Sequence, residues 1–138
     1  MTMLSALFAP PRTAPWLKGY RDGIAAGELR LPRCSACGRW EWYPRESGPA
    51  CAGADYVWET VGPVATVFTI TRVERPLLSD VDQPYEVGLV VTVEAPRCRI
   101  AARFDTSAGP VSIGDRVRFH VIGKGDDAFV VFRLEAQP

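Results

Sequence analysis

Four cysteines are the first residues with chemistry to offer. Cys34-Ser-Ala-Cys37-Gly38 is half of a zinc-ribbon site. A tight turn aims two sulfurs at one point, and the glycine that follows lets the backbone reverse. A closed structural site needs a second pair. Gly48-Pro-Ala-Cys51 stands in that place with a single thiol, Cys51, and Gly48 occupies the position of its mate. Zinc could still be held by Cys34, Cys37 and Cys51, with an oxygen from Glu46, Asp55 or water as the fourth ligand. An open fourth position is also what a catalytic zinc has, but no general base is evident beside it. The alternative is a loop that has lost its metal and survives on the packing of Trp40, Trp42 and Tyr43. The balance tips slightly to that metal-free reading, because a lone C-x-x-C with a partial second half is a moderate signal. Cys98 falls in an expected strand and reads as a small buried apolar residue.

Arginines are the second group. Arg33, Arg39 and Arg45 surround the knuckle, and Arg72 and Arg75 end a long β-type run. Guanidinium forks match phosphate oxygens, so these side chains suit a phosphorylated ligand. Solvent-facing charges that keep a small module soluble are the commoner case. The single histidine, His120, alternates with Arg116 and Arg118 and reads as a solvated polar residue. No nucleophile, base and orienting acid form one recognisable cluster, so catalysis by this chain is not expected.

Elements must position these groups. Trp16, Tyr20 and Ile24 recur every four residues, which predicts a helix from Trp16 to Glu28 with Gly27 ending it. Interior Gly19 and Gly23 weaken that helix. Short strands are expected at Leu29–Pro32 and Trp40–Tyr43, either side of the first knuckle, with a Gly- and Pro-rich loop from Pro44 to Ala54. From Val57 onward the pattern turns to β. Runs at Val64–Val73, Tyr85–Glu94, Cys98–Phe104, Arg116–Ile122 and Ala128–Leu134 are separated by turn signals. Strands of this number and length suit a small OB barrel, whose closure protects edges. The fold expected is mainly β: an N-terminal arm and helix (1–28), a rubredoxin-like but degenerate zinc ribbon (29–57), and a five-stranded OB-fold domain (58–138).

Lys and Arg number 16, as do Asp and Glu, so the formal net charge is zero. That argues against a dedicated nucleic-acid binder, which usually carries a basic excess. It also removes electrostatic solubility and raises the suspicion of an obligate partner. At 138 residues the chain is too short for a thiolase or dehydrogenase scaffold. No stretch approaches a membrane span and Met1–Pro15 lacks a basic leader, so a cytoplasmic setting is expected.

The order of motifs resembles a known family. The pieces are the helix Trp16–Glu28, then Leu29-Arg-Leu-Pro-Arg-Cys-Ser-Ala-Cys-Gly38, Tyr43-Pro-Arg45, Gly48-Pro-Ala-Cys51 and Trp58-Glu59. Gly62-Pro-Val-Ala-Thr-Val-Phe-Thr69, Gln83-Pro-Tyr85-Glu-Val-Gly-Leu-Val90 and Ser112-Ile-Gly114-Asp-Arg-Val117 follow. Together these resemble the acyl-CoA-associated OB-fold family with an N-terminal rubredoxin-like zinc ribbon. In that family Trp58 would open the first barrel strand. The chain departs from the pattern at Gly48, where the family has its third cysteine, which puts zinc in doubt but not the fold.

The resemblance implies an auxiliary subunit. Such proteins accompany thiolase-like enzymes, including thiolases, acyltransferases and the retro-aldol lyases of steroid side-chain breakdown, or hot-dog-fold enoyl-CoA hydratases. The partner carries the catalysis, and the small subunit supports assembly and the acyl-CoA channel in a hetero-oligomer. Arg33, Arg45, Phe68, Arg72 and Tyr85 are then candidates for a coenzyme A thioester, although Tyr85 suits a cap on the barrel end better. Trp16, Tyr20 and the Met1–Pro15 arm are candidates for the partner interface, since no core pattern ties helix and arm to the barrel. The competing reading is a single-stranded nucleic-acid module. It is disfavoured because Tyr85–Glu94 and Cys98–Phe104 are mostly aliphatic. An independent hydrolase or hydratase is disfavoured for want of an acid–base set.

Overall fold

The computed structural model describes residues 9–11, 13–75 and 84–135. Of the expected arm, residues 1–8 and 12 lie outside that range, as does Gln83 of the Pro-Tyr motif. A short 3-10 turn over Pro15–Leu17 leads into α1, Lys18–Ala25. Proline suits this entry because its missing N–H has no partner in a first turn. The helix stops before Glu28, earlier than its periodicity suggests. Gly27, at φ 75°, takes the left-handed conformation. Glu28 N–H then reaches back to Gly23 O at 2.7 Å and Gly27 N–H to Ile24 O at 3.0 Å. These two bonds cap the last carbonyls and turn the chain into β1.

The ribbon is a two-stranded antiparallel sheet of β1, Arg30–Cys34, and β2, Tyr56–Thr60. Pro32 pairs with Trp58 and Cys34 with Tyr56. Trp58 therefore belongs to the ribbon rather than to the first barrel strand. The short strand expected at Trp40–Tyr43 reduces to one bridge between Arg33 and Trp40. The physical reason is local. Cys34 N–H bonds Arg39 O and Glu41 N–H bonds Pro32 O, and the chain then runs into Pro44, which has no N–H to extend a ladder.

Five strands close into a barrel in the order β3-β4-β5-β7-β6. They are β3 Val64–Val73, β4 Tyr85–Val91, β5 Ile100–Asp105, β6 Arg116–Ile122 and β7 Phe129–Leu134. β6 returns to β3, and among the described strands only the β5–β7 pair is parallel. This is the OB arrangement the alternation predicts. Ala65, Val67, Val90, Ile100, Phe104, Val117, Phe119 and Phe132 point inward. Phe119 and Phe132 meet edge to face at 6.0 Å. Burying rings and branched side chains of this size contributes roughly 2 kcal/mol each.

Ribbon and barrel share one core. Ile24 of α1 and Leu29, Leu31 and Val61 of the ribbon join the same buried cluster as the barrel residues, with Tyr20, Trp40 and Trp42 packed against it. Helix and barrel are thus tied together by residues that show no joint period in the sequence. None of the described helices is long and apolar enough to cross a membrane.

Candidate functional site: a cysteine knuckle beside a basic cleft

Cys34, Cys37 and Cys51 converge. Their sulfurs all lie within 4.8 Å of one another. β1 delivers Cys34 at its end, and the turn that follows delivers Cys37. Gly38, at φ 75°, makes the reversal, with its N–H on Cys34 O at 2.8 Å. Across the ribbon, Ser35 N–H donates to Asp55 O at 2.9 Å and Asp55 N–H to Ser35 Oγ at 3.0 Å. These bonds hold the Cys51 loop against the first knuckle.

The electrostatics single out one sulfur. The N–H of Cys37 donates to the Cys34 sulfur and holds its thiol below the usual range; burial opposes this, and the Ala36 N–H adds to it. Cys51 moves the other way, to about 11, because Cys37 and then Cys34 bond it as a thiol and repel a second thiolate. A sulfur steered by N–H donors, with two further sulfurs beside it, is a donor set that fits a thiophilic divalent ion. Zinc–sulfur bonds of about 2.3 Å need sulfurs roughly 3.8 Å apart, a spacing that sulfurs within 4.8 Å of one another can meet.

Among the described residues no carboxylate joins the three sulfurs, so Glu46 and Asp55 do not complete the set. Gly48 cannot simply stand for a cysteine. Its φ of 93° is backbone that a residue with a β-carbon rarely adopts.

Beside the knuckle lies a cleft of about 710 Å³. Its walls come from the segment after the first knuckle, with Arg39, Trp42, Tyr43 and Arg45, and from the β4–β5 loop, with Arg97 and Cys98. The sequence flagged Arg45 but not Arg97, which is distant in the chain. Only the fold of the ribbon onto the barrel brings the two together. Cys98 is 3 % exposed, as expected, but it precedes β5 in a turn, with its N–H on Ala95 O at 3.0 Å. Burial, and then Glu41, push its thiol up.

The other candidates are scattered. Arg33 stacks on Trp40 at 4.8 Å and pairs with Glu59 at 3.1 Å. Phe68 is the extra residue at a register shift in β3, and it carries the Arg99 guanidinium on its ring at 4.2 Å. Arg72 pairs with Glu74 at 2.8 Å and faces Glu86 at 3.8 Å. Tyr85 is buried where β4 begins. None of these four lines the cleft. Trp16 donates its indole N–H to Tyr43 Oη at 3.4 Å, and Tyr20 packs on Trp42 at 5.1 Å. Both helix aromatics thus have partners within the chain. Burial raises the Tyr20 phenol to about 12, so it stays protonated. His120 is held below its usual value by burial first and then by Arg133 and Arg118, which favours its neutral form.

These features define a class: a small protein of two modules, a cysteine ribbon packed on a closed OB barrel. Both modules are matched by family models. Residues 21–57 match the ChsH2 rubredoxin-like zinc ribbon domain and residues 58–121 the ChsH2 C-terminal OB-fold domain. The chain belongs to the ChsH2 family. No curated protein matches it. Among solved structures, a structure titled Ltp2-ChsH2(DUF35) aldolase is 20% identical, with a TM-score of 0.76 over 91% of this chain and 98% of that one. A DUF35-family protein of unknown function from Sulfolobus solfataricus is 15% identical, with a TM-score of 0.60 over 89% of this chain and 87% of that one. At these identities both likenesses show the fold.

Proposed function

We propose that this chain is the small subunit of a hetero-oligomer with a thiolase-like enzyme, and that it helps hold an acyl-CoA substrate while the partner performs the chemistry. The observation that carries this reading is the near-complete match, over 98% of that chain, to the Ltp2-ChsH2(DUF35) aldolase, whose name joins ChsH2 to a second protein. The residues support it. The one histidine sits among arginines rather than beside a nucleophile. Phe68, 44 % exposed under Arg99, offers an aromatic–guanidinium pair of the kind that anchors interfaces.

In this reading Cys34, Cys37 and Cys51 hold a zinc ion with a structural task. When bound, the ion neutralises thiolate charge and crosslinks the two ribbon loops. The chain's own backbone N–H groups orient Cys34 toward it. Arg45 at the cleft serves the anionic end of coenzyme A, and Arg33 steadies the knuckle through Trp40 and Glu59.

The test is turnover of an acyl-CoA by a candidate thiolase-like partner protein, with and without this chain. Activity of the pair that is absent from either protein alone is the expected result. Enzymatic conversion of a thioester by this chain in isolation would overturn the reading.

A further inference from the structure

The cleft between knuckle and barrel concentrates positive charge on a chain that is neutral overall. Arg39, Arg45 and Arg97 line it, against a single carboxylate, Glu41. Arg45 spends part of its charge on Glu41, at 3.2 Å. The guanidinium groups of Arg39 and Arg97 have neither an ion pair nor a hydrogen bond among the described residues. Two unspent forks therefore approach one hollow from two different loops. Guanidinium groups gathered without partners repel one another, and an anion that accepts from both removes that cost.

The aromatic wall narrows the class of anion. Tyr43 is 53 % exposed, and its ring meets Trp42 edge-on at 5.7 Å. An exposed, rigid ring next to guanidinium groups suits a planar heterocycle, which stacks without needing a specific hydrogen-bond pattern. A volume of about 710 Å³ lies within the span of small-molecule sites, which run from about 300 to 1,000 Å³.

We propose that this cleft binds a phosphorylated purine, with Arg39 and Arg97 on the phosphates and Tyr43 against the ring. The chemistry is shared by free adenine nucleotides and by the nucleotide end of coenzyme A. The second source deepens the acyl-CoA reading above and rests on it, whereas the first does not. Because Arg39 belongs to the ribbon and Arg97 to the barrel, an occupant bridges the two modules.

Trp42 in the wall supplies the signal. The full-length chain is titrated with ADP, coenzyme A, adenosine and inorganic pyrophosphate while tryptophan fluorescence is followed. ADP should bind at submillimolar concentration, and adenosine or pyrophosphate alone about tenfold more weakly, because each keeps half of the contacts. The double variant R39A/R97A alters two exposed side chains outside the core, and should weaken ADP about tenfold or more with an unchanged circular dichroism spectrum. K124A, a charge removed outside the cleft, should bind as the parent does. Equal affinity for ADP and coenzyme A identifies the nucleotide end as the recognised part.

ADP with no effect up to about 5 mM, or bound equally well by R39A/R97A, overturns the proposal. Coenzyme A bound normally by R39A/R97A removes this cleft but leaves the acyl-CoA reading standing. Nucleotide bound in the cleft by a chain that forms no complex with a thiolase-like protein does the reverse. A single-stranded oligonucleotide bound tighter than ADP, and lost in the same variant, overturns the proposal in favour of a nucleic-acid groove.

Discussion

Gly19 of α1 lies directly against the indole of Trp58 in β2: a β-carbon on Gly19 would sit 2.2 Å from the ring. The glycine that weakens the helix as an isolated element is what lets the helix approach the ribbon. On propensity alone, Gly19→Ala should stabilise by nearly 1 kcal/mol. The contact reverses that sign, and we expect a loss of about 1–3 kcal/mol from overpacking. Urea denaturation of G19A checks this. In the W58A background the clash is gone, so G19A/W58A should be at least as stable as W58A alone.

The barrel has a similar close approach. A β-carbon on Gly88, which pairs with Ile70 just past the register shift in β3, would sit 2.0 Å from the carbonyl oxygen of Thr69. Here the obstacle is backbone and cannot rotate away. Gly88→Ala should cost about 2 kcal/mol or more, read as a lowered thermal midpoint.

These two contacts show where the sequence was legible. The barrel strands follow from alternation: Val117 and Phe119 are buried while Arg116, Arg118 and His120 face outward, as their period of two requires. The cysteine cluster follows from C-x-x-C and the lone Cys51. The ribbon was harder. β2 reads as the lead-in to the barrel, because its pairing with β1 depends on a loop folding back. The cleft was half legible: Arg39, Trp42, Tyr43 and Arg45 are near neighbours in sequence, but nothing local marks Arg97 as their companion. The helix aromatics looked unattached because Tyr20 answers Trp42, not a partner with a helical period.

The knuckle makes a prediction about metal. The chain purified with zinc should hold about one ion, and Cys51→Ser should reduce that content and lower the thermal midpoint. Removing the metal with a chelator should destabilise the parent by more than it does C51S, since loss of the ion then has less left to release. Elemental analysis alongside differential scanning calorimetry tests this. Equal zinc content in parent and C51S would exclude Cys51 as a ligand.

Acid should reach the barrel through Asp105. The Ser107 backbone N–H and side chain, and then Arg133 at 2.6 Å, hold its carboxyl down to about 2. A depressed folded-state value means the stabilisation is complete above the unfolded value near 4 and is lost as pH falls toward 2. After allowance for solvent screening, about 1–2 kcal/mol is at stake. Asp105→Asn should be less stable than the parent at neutral pH by that amount, with the difference shrinking at low pH. A gap that stays constant from pH 6 to pH 2 would assign its effect to packing.

Native mass spectrometry of this chain co-expressed with a candidate thiolase-like partner bears most directly on the proposed role. The account predicts one dominant hetero-oligomer containing both polypeptides, stable through purification. Two separate species, with the small chain well behaved by itself, would contradict it.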